Sequence, residues 1–275
     1  MKSFSIPRTA RKTAVVCLAL VAVVLVMLAM LVVPARAAAR PLPIHAHVVT
    51  GARSRTTRDE TLRAKYPTKP LALQEDGKTI LAFPPRAASP SKALTVVYLH
   101  GIHGRAENGC PWLRDGASEL GWLVCPEANE HLANDTFSWA GTPAEQRAVV
   151  ARAERAAQAQ GADADSASVL VGFSQGAFVA LDLVHGGLGR YRGLVLIGAD
   201  VAPSRAMLDA AGVARLVLAA GDLDGASGPM RRAAEHLRRE GMDVRFVSLG
   251  RIGHSYETTE KEGLRDAIVW AGGSS

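Results

Sequence analysis

Several things are scarce in this chain of 275 residues, and each scarcity excludes something. Aromatic residues make up 5% and cysteines number three, which is too few for a small scaffold held together by many disulfides. Beyond residue 33 there is no long apolar run, which excludes a polytopic membrane protein. No repeat or low-complexity block appears, and a 48% hydrophobic content excludes a disordered or collagen-like chain. Charge of one sign is also missing where it would matter. The formal +6 is carried entirely by Lys2, Arg8, Arg11, Lys12, Arg36 and Arg40, with no acid among the first forty residues, so the remainder holds 26 basic side chains against 26 acidic ones. A body without net charge has no footprint for polyanions, and nucleic acid is excluded as a partner.

The first forty residues do have a pattern. A basic start is followed by an uncharged apolar run over residues 13–33 and then by Pro34-Ala35-Arg36-Ala37-Ala38. Basic head, apolar middle and an Ala-x-Ala end make a secretory signal peptide over residues 1–37, with Pro34 ending the helix before small residues that suit a signal peptidase. The run is also roughly 30 Å long as a helix, enough to span a bilayer, so an uncleaved N-terminal membrane anchor is the competing reading. Both readings export the body to a periplasmic, extracellular or tethered position, and membrane contact is expected only through this segment if it is retained. Cys17 lies inside the run and reads as a small apolar residue. Export puts Cys110 and Cys125 in an oxidising compartment, and a disulfide between them is expected.

Residues 38–70 are rich in Arg, Thr and Pro without apolar periodicity and read as a linker or irregular lead-in. From residue 71 to 275 a rhythm sets in. Apolar runs that suit buried parallel strands occur at residues 94–99, 121–125, 168–172, 193–197, 215–219 and 244–248, with a possible antiparallel edge strand at 79–83. Helical spacing fills most of the intervals, at residues 112–120, 143–160, 175–184, 228–240 and 258–271. Thr142-Pro143 is a cap followed by proline at the first helical position, Gly161 closes that helix, and Gly241 closes the Arg-rich one. The expectation is a single α/β domain: a doubly wound, mostly parallel sheet with helices on both faces. Too little chain is left over for a large lid.

Ligands of such sheets bind at the carboxyl ends of the strands, so the polar residues there are the candidates for chemistry. Gly172-Phe173-Ser174-Gln175-Gly176 joins a strand to a helix. A serine there needs a tight turn, and the flanking glycines let strand and helix approach, lifting the Ser174 hydroxyl above the sheet. A serine hydroxyl needs a base. Of the histidines, His254 sits in the loop after the last strand behind Gly253, whereas His236 falls on a solvated helix face and His45 and His47 in the lead-in. The base needs an orienting carboxylate, and Asp222 and Asp224 both follow the strand at 215–219; spacing does not separate them. His100-Gly101-Ile102-His103-Gly104 follows the strand at 94–99. Its glycines free the backbone to aim amides, so the Ile102 and Gln175 N–H groups are assigned to an oxyanion hole. His100 reads as a buried turn-holder and His103 as a residue facing substrate. No third ligand of clear spacing accompanies them, so no metal is expected, and no cofactor is called for.

In the order Ser, Asp, His the chain resembles the α/β-hydrolase superfamily, and within it the small carboxylesterase, acyl-protein thioesterase and dienelactone-hydrolase-like group. The likeness covers residues 94–270. It rests on Leu99-His100-Gly101-Ile102 for the oxyanion segment, the Gly-Phe-Ser-Gln-Gly elbow, Gly221-Asp222-Leu223-Asp224 for the acid loop, and Gly253-His254. The resemblance implies Asp224 as the triad acid and places Trp139, in Ser138-Trp139, at the acyl pocket. His103-Gly104 departs from the family's usual Gly-Asp or Gly-Gly, and Gly225 stands where proline is common. The cysteines and the export segment are foreign to the cytoplasmic thioesterases, which argues against acyl-protein substrates. The expected activity is a serine hydrolase cleaving small-molecule carboxylic esters through an acyl-enzyme. A peptidase or amidase on the same fold is the nearer alternative, and a non-catalytic binding module the further one. Residues 126–141, including Glu127, Asn129, Glu130, His131 and Asn134, are expected to form much of the pocket rim.

Overall fold

The computed structural model describes residues 69–86, 93–258 and 261–273. The signal or anchor segment 1–37, with Cys17, and the lead-in up to residue 68 lie outside the described residues. Among the described residues ten strands and six α-helices follow one another as β1 (Leu71–Glu75), β2 (Lys78–Phe83), β3 (Leu94–Leu99), α1 (Ala106–Leu120), β4 (Gly121–Cys125), β5 (Glu130–Leu132), β6 (Thr136–Ser138), α2 (Pro143–Gln158), β7 (Ser168–Phe173), α3 (Gln175–His185), β8 (Tyr191–Ile197), α4 (Arg205–Ala210), β9 (Arg215–Ala220), α5 (Ser227–Arg239), β10 (Val244–Ser248) and α6 (Lys261–Ala271).

Eight strands form one sheet in the order β1-β2-β4-β3-β7-β8-β9-β10. From β4 to β10 all neighbours run parallel, and only β2 is antiparallel to the strands on both its sides. The interior strands are apolar throughout because helices cover both faces: every residue of β3 and of β4 is buried. Alternate side chains feed two cores. Val97, Leu99, Val124 and Leu170 meet Val150, Ala180 and Leu237 on the face covered by α2, α3 and α5. Val96, Tyr98, Leu123 and Val169 meet Leu113, Leu264 and Ile268 beneath α1 and α6.

The fold class is as expected, and the deviations are local. The strand at 79–83 is not the edge. β1 pairs outside it through the turn at Asp76-Gly77, and its half-polar Leu-Ala-Leu-Gln-Glu carries too little apolar signal to be read as a strand. Helix α1 begins six residues before the expected position at Trp112 and keeps Pro111 inside it. Proline normally stops a helix because it lacks an N–H. Here tertiary contacts hold the preceding turn: the Glu127 carboxylate accepts the Ala106 N–H at 3.0 Å, and Cys110 is tied to Cys125 at the end of β4. The helix at 143–158 starts with a complete capping box between Thr142 and Glu145. The small hairpin β5–β6 and the six-residue α4 escaped notice because neither is long enough to show a period.

Candidate active site

The chain passes from β3 to β4 on one side of β3, then crosses to β7 on the other. Where the strand order reverses, the loops leaving the two central strands diverge and open a crevice at their carboxyl ends. Those loops are the segment after β3, with Gly101 and Ile102, and the turn after β7, with Ser174.

Ser174 has φ 51° and ψ −117°, between the last residue of β7 and the first of α3. Glycine on both sides is a steric necessity. A Cβ on Gly172 would run into the backbone of Gly176 and Ala177, and one on Gly176 into the carbonyls of Leu99 and His100. Gly101 lies directly against the serine, since a Cβ there would stand 3.2 Å from Ser174 Cβ.

The histidine and acid loops reach this point together. Asp222 N–H bonds Gly250 O at 2.9 Å and Leu223 N–H bonds Ile252 O at 3.0 Å, which fixes one loop on the other. Gly221 permits the approach, because a side chain there would strike the Ile252 carbonyl. Asp224 Oδ2 lies 2.9 Å from His254 Nδ1, and His254 Nε2 lies 3.0 Å from Ser174 Oγ. The second carboxylate oxygen of Asp224 accepts the Ala226 N–H at 2.9 Å. The Asp224 side chain is 6% exposed and that of His254 51%, so the acid is enclosed and the imidazole open to incoming molecules. Asp222 instead accepts a hydrogen bond from the Ser248 hydroxyl at 2.6 Å. With Nδ1 protonated toward Asp224, Nε2 is left to accept the serine proton.

Aromatic packing supports the histidine loop. The Phe173 ring lies 5.0 Å from the His254 ring and 4.6 Å, edge-on, from that of Tyr256, which in turn meets Tyr98 edge-on at 6.2 Å. Burial, then the neighbouring Tyr256 and Glu127, pushes the Tyr98 phenol well above its ordinary range, and burial raises that of Tyr256. Both stay neutral beside the site.

The segment after β3 is held from behind. Ala128 N–H donates to His100 Nε2 at 3.1 Å, so His100 Nδ1 carries the proton that goes to Gly101 O at 2.8 Å. The same carbonyl accepts the Gly104 N–H at 3.0 Å. Glu127 also lies 3.3 Å from His100 Nε2, the nitrogen that already serves as acceptor for the Ala128 N–H. Among the described residues neither the Ile102 nor the Gln175 amide is spent on a backbone carbonyl. His103 is exposed on a left-handed backbone, φ 54°.

Trp139 is 4% exposed, and its indole N–H donates to His100 O at 2.9 Å. Its position is a buried brace behind the segment that follows β3. The Gln175 side chain completes the brace, accepting the Trp139 N–H at 3.1 Å and donating to the Trp139 carbonyl at 3.0 Å. Sequence reasoning gave Gln175 only a main-chain role. Nothing in residue order shows that its amide would imitate a strand pairing partner. Tyr256 was likewise missed, although its place two residues beyond His254 was a usable signal. Among the described residues no group of three or more His, Cys, Asp or Glu side chains could hold a metal ion.

No known family profile matches the chain, and no curated protein matches its sequence. Solved structures do. A lidless α/β serine hydrolase from Xanthomonas campestris aligns at a TM-score of 0.53 with 19% identity over 75% of this chain and 94% of its own. A Bacillus cereus carboxylesterase aligns at 0.52 with 19% identity over 80% and 100%. A fluorophosphonate-binding serine hydrolase from Staphylococcus aureus aligns at 0.51 with 13% identity over 71% and 92%.

Proposed function

With the α/β-hydrolase fold as premise, we propose that the chain is a serine hydrolase that cleaves carboxylic esters through an acyl-enzyme. The observation that carries this reading is the unbroken relay from Asp224 Oδ2 through His254 to Ser174 Oγ, with contacts of 2.9 and 3.0 Å.

Ser174 Oγ attacks the ester carbonyl as His254 Nε2 takes its proton. Asp224 keeps the imidazole in the required tautomer and stabilises the imidazolium. The amides of Ile102 and Gln175 meet the oxyanion, where one such donor typically contributes about 3 kcal/mol to lowering the barrier. His254 returns the proton to the leaving alcohol, and water then repeats the sequence to release the acid. Fold neighbours that include a carboxylesterase and a lidless serine hydrolase support this reading in kind. Exposed Ile102 and Leu223, on the oxyanion and acid loops, give the mouth apolar edges suited to an uncharged acyl or alcohol group.

Fluorophosphonate labelling tests the reading. The parent chain should label and Ser174→Ala should not; an unlabelled parent removes the enzyme. A panel of acyl esters against peptide anilides then separates esterase from amidase, with esters expected to be preferred. His254→Ala should abolish ester cleavage, and undiminished activity in that variant would remove His254 as the base. Export of the body, suggested by the first forty residues, is tested by sequencing the N-terminus of the chain recovered from cells.

A further inference from the structure

A cavity of about 570 Å³ lies between the start of β2, the loop after β4, the β5–β6 hairpin and α2, and neither the relay residues nor residues 101–103 line it. Its size is that of a small-molecule site. Ile80, Ala128, Phe137 and Val149 supply apolar wall, and exposed Ala148 stands on α2 beside them.

Four charged side chains also line the cavity, and they differ in what they are already bonded to. Glu145 spends one oxygen on the Thr142 N–H and hydroxyl, at 2.7 and 2.9 Å, and Thr142 thereby holds its carboxyl below the usual range. Glu127 spends one oxygen on the Ala106 N–H. The cations are less well served. Lys78 has no ion-pair partner among the described residues, and the Nε of Arg152 is enclosed without a hydrogen-bond acceptor. The carboxylate oxygen nearest that atom, on Asp76, is 3.7 Å away and already serves Arg155. The Arg152 guanidinium, held by Asp76 only at 3.7 Å, and the Lys78 ammonium both line the cavity and are the charges left to meet an incoming carboxylate.

We propose that this cavity binds a small amphipathic monocarboxylate, with its head on Arg152 and Lys78 and its apolar body against Ile80, Phe137 and Val149. A dianionic head group is disfavoured by Glu127 and Glu145 across the same space. The cavity is also wired to the oxyanion segment. Ala128 N–H bonds His100 Nε2 at 3.1 Å, and Phe137 N–H bonds Gly104 O at 3.0 Å, so two of its walls hold the two ends of residues 100–104. If the proposed ester hydrolysis holds, the acid it releases belongs to the chemical class this cavity takes.

Ligand-observed NMR on the full chain tests binding without reference to activity, using hexanoate, hexanol and hexylamine as probes. Hexanoate should bind at least tenfold more tightly than the other two. Arg152→Met, with Lys78→Met as second variant should the first fail to fold, should weaken hexanoate about tenfold or more. Ala148→Trp, which fills the mouth from an exposed position, should abolish binding. Hexanol equal to hexanoate, undiminished binding in Ala148→Trp, or no binding of hexanoate up to about 20 mM would each overturn the proposal. Fluorophosphonate labelling is scored separately, so loss of the hydrolase reading and loss of the cavity reading are distinguishable.

Discussion

Ser174 holds its backbone at φ 51°, in a region where a residue with a side chain is strained by about 1–3 kcal/mol. Glycine would relieve the strain and alanine would not. Ser174→Gly should therefore melt above the parent while losing activity, and Ser174→Ala should lose activity at an unchanged melting temperature; equal melting of all three would show that the turn is unstrained. Tyr256 works at the same scale but through its ring. It meets Phe173 edge-on at 4.6 Å, and Phe173 lies against His254. Tyr256→Phe should keep kcat, because the ring remains, whereas Tyr256→Leu should lower kcat several-fold more than it changes KM for a short ester. A fall confined to KM would assign Tyr256 to substrate contact instead. Asp224 shows the limit of spacing as evidence, since Asp222 is two residues away in the same loop. The choice is made by a backbone ladder between two loops distant in sequence, and the order of residues shows no such ladder.

Elements with full local signals were legible, and those held by tertiary contacts were not. The start of α2 shows the first kind, because Thr142, Pro143 and Glu145 all specify the same turn. Thr142→Ala should cost about 1 kcal/mol in urea denaturation. The box also has a pH signature. Thr142 lowers the Glu145 carboxyl in the folded chain, so its stabilisation is full above the unfolded carboxylate range, about pH 4.3, and is lost as pH falls through the lower folded value. Below about pH 4 the gap between parent and Thr142→Ala should narrow; a constant gap would deny the link. α1 shows the second kind. Its first turn precedes Pro111 and depends on Glu127 and Cys125, both from beyond its own end. The brace by Gln175 belongs here too. Gln175→Ala keeps the main-chain amide of the proposed oxyanion hole but frees Trp139, and should lower kcat about tenfold, far less than the roughly hundredfold or more that loss of an oxyanion donor costs.

Over the whole molecule, charge balance in the sequence conceals its uneven placement. Arg155, Arg205 and Arg265 are ion-paired, whereas at the β9–β10 end of the sheet Arg231 of α5 stacks on Phe246 at 4.3 Å, and Arg245 of β10 and Arg215 of β9 share Trp270 at 4.2 and 5.3 Å. Arg245, on the outer strand β10, puts a cation where edge-to-edge association would occur and discourages it. The bond between Cys110 and Cys125 spans 15 residues, and removing it by the double alanine change should cost about 3 kcal/mol in urea denaturation. Both cysteines are fully enclosed. An oxidant reaches enclosed thiols only when the chain opens, so the link forms most readily while the polypeptide is still folding. The surroundings at birth, more than those at work, then decide whether a molecule carries it, and copies that mature without it are a weaker population that later exposure to oxygen mends only as fast as they open.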